Sequence, residues 1–127
     1  MRTASRADRG DQAGMVTAET AVVLPVLLLV LAGAVAAVVV VGAQLRCVDA
    51  AREAARAAAR GEPAAVVAQV GADAAPDGAG TDVGGDAETV RVTVSATVSP
   101  LGPLPWRVEV SATAVGAREP GARSEAP

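Results

Sequence analysis

The sequence predicts an α+β fold, a long N-terminal transmembrane helix followed by a small C-terminal antiparallel β-hairpin or sheet. Three observations carry it. Residues 20–45 contain no charged side chain, and at about 1.5 Å per helical residue that run is long enough to cross a hydrocarbon core of roughly 30 Å. Residues 44–60 (QLRCVDAAREAARAAAR) continue with strong helix formers. Residues 88–99 and 106–115 alternate apolar and polar positions with the period of two that belongs to strands.

Residues 1–14 form a short polar leader, with Arg2, Arg6 and Arg9 set against Asp8 and Asp11 and no apolar periodicity. Such a segment folds little by itself and reads as a mildly basic targeting region that stays in the cytoplasm. The long helix is expected over residues 15–60, membrane-spanning at about 20–43 and extramembrane over 44–60; continuous from Thr17 to Arg60 it would be roughly 65 Å long. Its apolar part has no polar stripe, which points to lipid rather than to one face of a soluble core. Pro25 lacks an N–H donor and frees the carbonyl of Ala21, so a kink is expected there. Beyond the membrane, Asp49 with Arg52 and Glu53 with Arg56 are spaced to pair at i, i+3. Gly61 followed by Pro63 marks the helix end.

Residues 61–87 read as a short helix (63–70) and a Gly/Asp-rich linker (GADAAPDGAGTDVGGDA). Residues 88–117 read as a β-hairpin. Val90, Val92, Val94, Ala96 and Val98 share one face of its first strand, and Val108, Val110, Ala112 and Ala114 one face of its second. The connection PLGPLP is too proline-rich for a tight two-residue turn and predicts a wider loop. An isolated hairpin is marginal in water, so its valine face needs a surface, and the alanine ridge of the outer helix supplies one. Residues 118–127 read as a disordered tail.

Composition excludes several function classes. The chain has 127 residues, a net charge of −3, one Trp, and no Phe, Tyr or His. A deep enzyme interior is out of reach, no imidazole serves as a base, and no Ser or Cys stands in a nucleophile motif. The sequence is therefore read as that of a non-enzyme without cofactor, metal or small-molecule substrate. Asp73, Asp77, Asp82 and Asp86 do not have the spacing of a calcium loop. Arginines interleaved with carboxylates leave no basic face for nucleic acid. Cys47, the single cysteine, excludes an internal disulfide; it reads as a small buried side chain, with an intermolecular disulfide as the alternative.

The informative junction is Gly14, Met15, Val16, Thr17, Ala18, Glu19, with a carboxylate at the mouth of the apolar helix. A carboxylate there is costly enough to call for a reason. This junction resembles the processing motif of a type IV prepilin, in which a polar leader ends in Gly and Glu is the fifth residue of the mature chain. With the run ETAVVLP, the AREAARAAARG extension and a hairpin leading into SATA, residues 14–119 resemble the TadE-like family of minor pilins or pseudopilins of tight-adherence (Flp-type) pili. Thr20 stands where an aromatic often follows the Glu.

The resemblance implies a pilin-like structural subunit, cleaved between Gly14 and Met15 by a prepilin peptidase. Its partners would be membrane lipid, other pilin subunits and the pilus assembly machinery. The N-terminus would lie in the cytoplasm and the C-terminal domain outside, with passage into an extracellular pilus. Glu19 of one subunit would then neutralise the new ammonium of Met15 on a neighbour, fixing register more than adding stability. The bland reading of Glu19 is an interfacial first-turn residue favoured by the helix dipole. A positive-inside count opposes the orientation, since Arg46, Arg52, Arg56 and Arg60 outnumber the three leader arginines. Two other readings stand beside this one. One is a secreted small β protein cleaved after Ala43, and the other a plain single-pass membrane protein with a partner-binding outer hairpin.

Overall fold

A computed structural model describes residues 7–121. The elements are α1 (Ala7–Ala59), α2 (Ala64–Ala74), β1 (Gly80–Gly85), β2 (Thr89–Val98) and β3 (Val108–Ala117). A long apolar helix and a small antiparallel sheet make this the α+β fold the sequence predicts. The chain divides into two units, Met1–Val35 and Ala36–Pro127.

In the described part of the first unit the chain is α1 alone. Helix begins at Ala7, so residues 7–14 of the leader are helical rather than irregular; residues 1–6 lie outside the described residues. Extending an existing helix needs no new nucleus, and the Ala and Gln of this segment are permissive enough to follow it. The helix assignment runs unbroken through Pro25. Large apolar side chains stand open along it: Val22, Leu28, Leu29 and Val30 are each more than 60 % exposed. Thr17 and Thr20 donate their hydroxyls to the carbonyls of Ala13 and Val16, both at 2.8 Å. This is how a threonine is satisfied on a helix in apolar surroundings.

The second unit holds the core. Ala43, Cys47, Ala50, Ala51, Ala54, Ala55 and Ala58 recur three and four residues apart on α1 and are buried, in one cluster with Val90, Val92, Val94, Ala96 and Val110. Methyl-sized side chains let the sheet approach the helix closely. β3 shows how closely: a Cβ on Gly116 would stand 3.4 Å from the carbonyl oxygen of Ala55 and 3.5 Å from the Ala59 methyl. Val98, Val108, Ala112 and Ala114 pack half-buried around the cluster, so the expected inward faces of both strands are those observed. The second strand runs two residues later than expected, to Ala117, and leaves Trp106 53 % exposed in the loop.

α1 ends as Gly61 and Pro63 predict. Gly61 has φ 78°, its N–H donates to Ala58 at 3.0 Å, and the N–H of Glu62 reaches back to Ala57 at 3.2 Å. These are the paired hydrogen bonds of a Schellman motif. The expected ion pairs Asp49–Arg52 and Glu53–Arg56 do not form. Among the described residues the only ion pair is Arg60–Glu62, at 3.0 Å. All four unpaired side chains are exposed, where holding two long chains together costs about as much entropy as the screened attraction returns.

The segment 61–87 requires the largest correction. Its helix extends four residues past the expected end, to Ala74, because buried Gly71 permits contact: a Cβ there would stand 2.8 Å from the Thr81 hydroxyl and 3.6 Å from the Ala54 methyl. What read as linker contains β1, which pairs antiparallel with β2 and completes a sheet of order β1-β2-β3. GTDVGG has no apolar alternation to betray a strand. It becomes one because a tight turn, Gly85 to Thr89, returns the chain onto β2 while α2 covers Thr81.

Candidate functional site

The Gly14–Glu19 junction lies on α1 as open helix. Met15 is 69 % exposed, Glu19 is exposed, and nothing approaches within 4 Å of a Cβ placed on Gly14. Met15 and Glu19 stand at i and i+4, one above the other on the same face. No other described residue is hydrogen-bonded to either side chain or ion-paired with Glu19. The junction is therefore a short display of Gly, a main-chain position and a carboxylate on a helix surface, rather than a pocket.

Pro25 sits six residues after Glu19 inside the helix. Its missing N–H leaves the carbonyl of Ala21 without a helical donor, a weak point that close packing of neighbouring helices can exploit. Cys47 is fully buried between α1 and the sheet, with a free thiol. Burial pushes that thiol up from its ordinary range, and nearby Arg46 opposes the shift only in part. A buried, protonated thiol is a packing group.

The polar anchoring of the second unit was not foreseen from the sequence. Gln44 Nε2 donates to the carbonyl of Ser111 at 2.7 Å, and the Arg46 guanidinium donates to the carbonyl of Ala75 at 2.6 Å. These two bonds clamp the helix to β3 on one side and to the end of α2 on the other. At the β1–β2 turn, one oxygen of Asp86 accepts the N–H groups of Glu88 and Thr89 and the Thr89 hydroxyl, at 2.9, 2.7 and 3.0 Å. The signal available was the Gly-Asp pair before a strand, a usual turn dipeptide, which was read only as part of a linker.

Two features of the second unit also lie together without having been paired in the reading of the sequence. A groove of about 300 Å³ runs between Arg52, Ala55, Arg56 and Ala59 of α1 and residues 114–117 of β3. The only hint in the sequence is Arg52 with Arg56 one turn apart, followed much later by Gly116 where a strand would ordinarily carry a side chain.

Taken together, the class these elements define is an apolar helix left open to its surroundings, whose far end is packed under a small α-and-β cap. Residues 14–56 match the model of a protein family described as TadE-like protein, the family that the junction and its flanks resemble. The matched stretch includes Gly14, Met15, Glu19 and Pro25 and ends within the alanine ridge, before the sheet. That family is a structural, pilus-associated one, and the match covers 43 of the chain's 127 residues. No curated protein and no solved structure matches the chain.

Proposed function

We propose that the chain is a pilin-like structural subunit, a minor pilin or pseudopilin, for an Flp-type tight-adherence pilus. It is stored in the membrane by residues 20–43, with its N-terminus cytoplasmic, and is cleaved after Gly14 by a prepilin peptidase. The observation that carries the reading is the exposed junction at the head of an unburied apolar helix, within a stretch that matches the TadE-like family. An apolar helix open all round requires either lipid or other helices, and a subunit that passes from membrane to filament uses both in turn.

Cleavage leaves an ammonium on Met15. In a filament of packed helices that ammonium and the Glu19 carboxylate of a neighbour neutralise each other, because either charge alone among apolar side chains is strongly unfavourable. The pair selects one axial register. Pro25, a turn and a half further on, gives the helix a place to bend as it leaves the bilayer.

The secreted alternative would cut α1 after Ala43. Ala43 is buried in the core and Val40 packs against it, so that cut would remove part of the cap's own packing. The intact mass of the mature protein isolated from cell envelopes separates the readings. A chain beginning at Met15 is expected. One beginning at Gln44 would establish the secreted form, and one retaining Met1 would establish a plain single-pass anchor; either overturns the proposal.

A further inference from the structure

The groove beside β3 carries two guanidiniums, Arg52 and Arg56, and no carboxylate among its lining residues. Four consecutive residues of β3 line it, so it follows the outer main-chain edge of that strand; among the described residues β3 has β2 as its single strand neighbour. Its walls are otherwise apolar and, apart from Val115, small: Ala55, Ala59, Ala114, Gly116 and Ala117. Neither arginine is ion-paired with a described residue. A basic channel with low walls along an open strand edge fits an extended acidic segment that adds to the sheet.

The same chain presents such a segment at the other end of its sheet. Residues 61–90 contain Glu62, Asp73, Asp77, Asp82, Asp86 and Glu88 and no arginine. Glu62 is held by Arg60, and Arg118 Nε donates to the carbonyl of Asp86 at 2.9 Å. The nearby Arg46 is engaged with Ala75. Asp73, which accepts a hydrogen bond from Gln69 at 2.7 Å, and Asp77 are left as an acidic flank formed by α2 and the following turn. β1 is also an open edge, and three of its six residues are glycine, so its backbone can be approached closely.

Geometry permits the two ends to meet. β1 is antiparallel to β2 and β2 to β3, so β1 and β3 run in the same direction. α2 packs under β1 as α1 packs under β3. A second copy displaced sideways along the sheet, and slid along the strands so that the turn before its β1 reaches residues 114–117, therefore lays its β1 beside β3 and its α2 beside the arginine-bearing side of α1.

From this we infer that the caps of successive copies associate head to tail, the acidic α2–β1 flank of one entering the Arg52/Arg56 groove of the next. The contact is heterologous, so it propagates rather than closing into a dimer. It rests on the reading of the chain as a subunit that packs beside its own kind, and it adds which surfaces of the cap meet.

The test uses the full-length chain in detergent micelles, its association followed by sedimentation equilibrium at low and high salt. Wild type should self-associate, more weakly as salt rises. Arg52→Glu with Arg56→Glu, and separately Asp73→Arg with Asp77→Arg, should each weaken self-association by about tenfold or more. Mixing the two variants should restore it, because the basic flank of one then fits the acidic groove of the other. Circular dichroism establishes that each variant is folded. The inference is overturned if wild type does not self-associate, if its association is indifferent to salt, if either variant alone associates like wild type, or if the mixture remains as dissociated as its components. Helix association within the micelle would be unmoved by salt and by mixing. The assay does not depend on cleavage at Gly14, so failure of the processing proposal and failure of this contact are read separately.

Discussion

The main-chain N–H of Glu119 donates to the carbonyl of Ala59 at 3.1 Å, tying the exit of β3 to the last residue of α1. A helix end normally leaves four carbonyls without partners. Here Gly61 and Glu62 satisfy Ala58 and Ala57, and the chain returning from the sheet satisfies Ala59. The cap is thus closed at its far end by main-chain bonds, while its interior is closed by alanine methyls.

That interior predicts the most damaging kind of substitution. Ala54 is wholly buried, 3.6 Å from where a Cβ on Gly71 would stand. Ala54→Leu adds three carbons where α1, α2 and β1 converge, and should cost about 1–3 kcal/mol by forcing α2 off the helix. Thermal denaturation read by circular dichroism measures it. The exposed neighbour Glu53→Leu, on the same turn, should change stability by less than about 0.5 kcal/mol. Equal effects from the two would contradict the packing described.

β1 depends on one glycine in a comparable way. Gly85 has φ 129°, and an added Cβ would run into the carbonyl oxygen of Thr89, which also accepts the Asp86 N–H at 2.9 Å. Gly85→Ala should therefore open the turn at a cost of about 2 kcal/mol. Hydrogen exchange should show protection lost over residues 80–85 and retained where β2 pairs with β3. Uniform loss across the sheet would mean that β1 is not a separable edge.

Asp86 gives the cap an acid-sensitive contribution. The N–H groups of Thr89 and Glu88 and the Thr89 hydroxyl hold its carboxyl below the usual range, with Arg118 adding to the effect. The folded pKa is lower than the unfolded one, so the contribution is complete above the ordinary aspartate value of about 3.9 and disappears as pH falls through the lower folded value. Melting temperature should decline on acidification below about pH 4. Asp86→Asn keeps an acceptor in the turn and removes the titration, so its decline should be shallower; an identical decline would show that other carboxylates govern it.

How much of this was legible follows from which forces leave a periodic trace. Val90, Val92, Val94 and Ala96 alternate because one sheet face is buried, and their inward side could be read directly. Gly61 followed by Pro63 was equally plain, since a left-handed cap and a missing donor are local chemistry. β1 was hidden because nothing in GTDVGG is selected for burial; it is a strand by virtue of the turn at Asp86 and the cover of α2, both remote from its own pattern. The helical state of residues 7–14 was hidden for a related reason, being inherited from the helix that follows. The pairing of Arg52 with Asp49 was over-read, because spacing permits an exposed ion pair without supplying the energy to hold it. At the candidate site, Gly14, Met15 and Glu19 were singled out by the resemblance of the junction to a prepilin processing motif, while the groove between Arg52 and Ala117 joins residues far apart in sequence that no local pattern links.

The junction itself yields a prediction in two halves that separates recognition from assembly. Gly14 has open space around it, so Gly14→Leu meets no steric obstacle within the folded chain. A peptidase that accepts only the smallest residue before the cut would still reject it. The leader should then remain attached, as an increase in mass of the envelope-bound protein by the fourteen leader residues. Glu19→Val leaves Gly14 and Met15 unchanged and replaces an exposed carboxylate with a side chain like those at positions 22 and 23. Trimming should proceed normally, but the Met15 ammonium would have no counter-charge when helices pack, and burying it unpaired costs several kcal/mol. Electron microscopy and shear-fraction immunoblots should show filament incorporation falling by about tenfold or more. Trimmed Gly14→Leu would remove the processing role of Gly14, and filaments of Glu19→Val indistinguishable from wild type would remove the ion pair. The two results are independent, because one depends on what the peptidase reads before the cut and the other on what the neighbouring subunit meets after it.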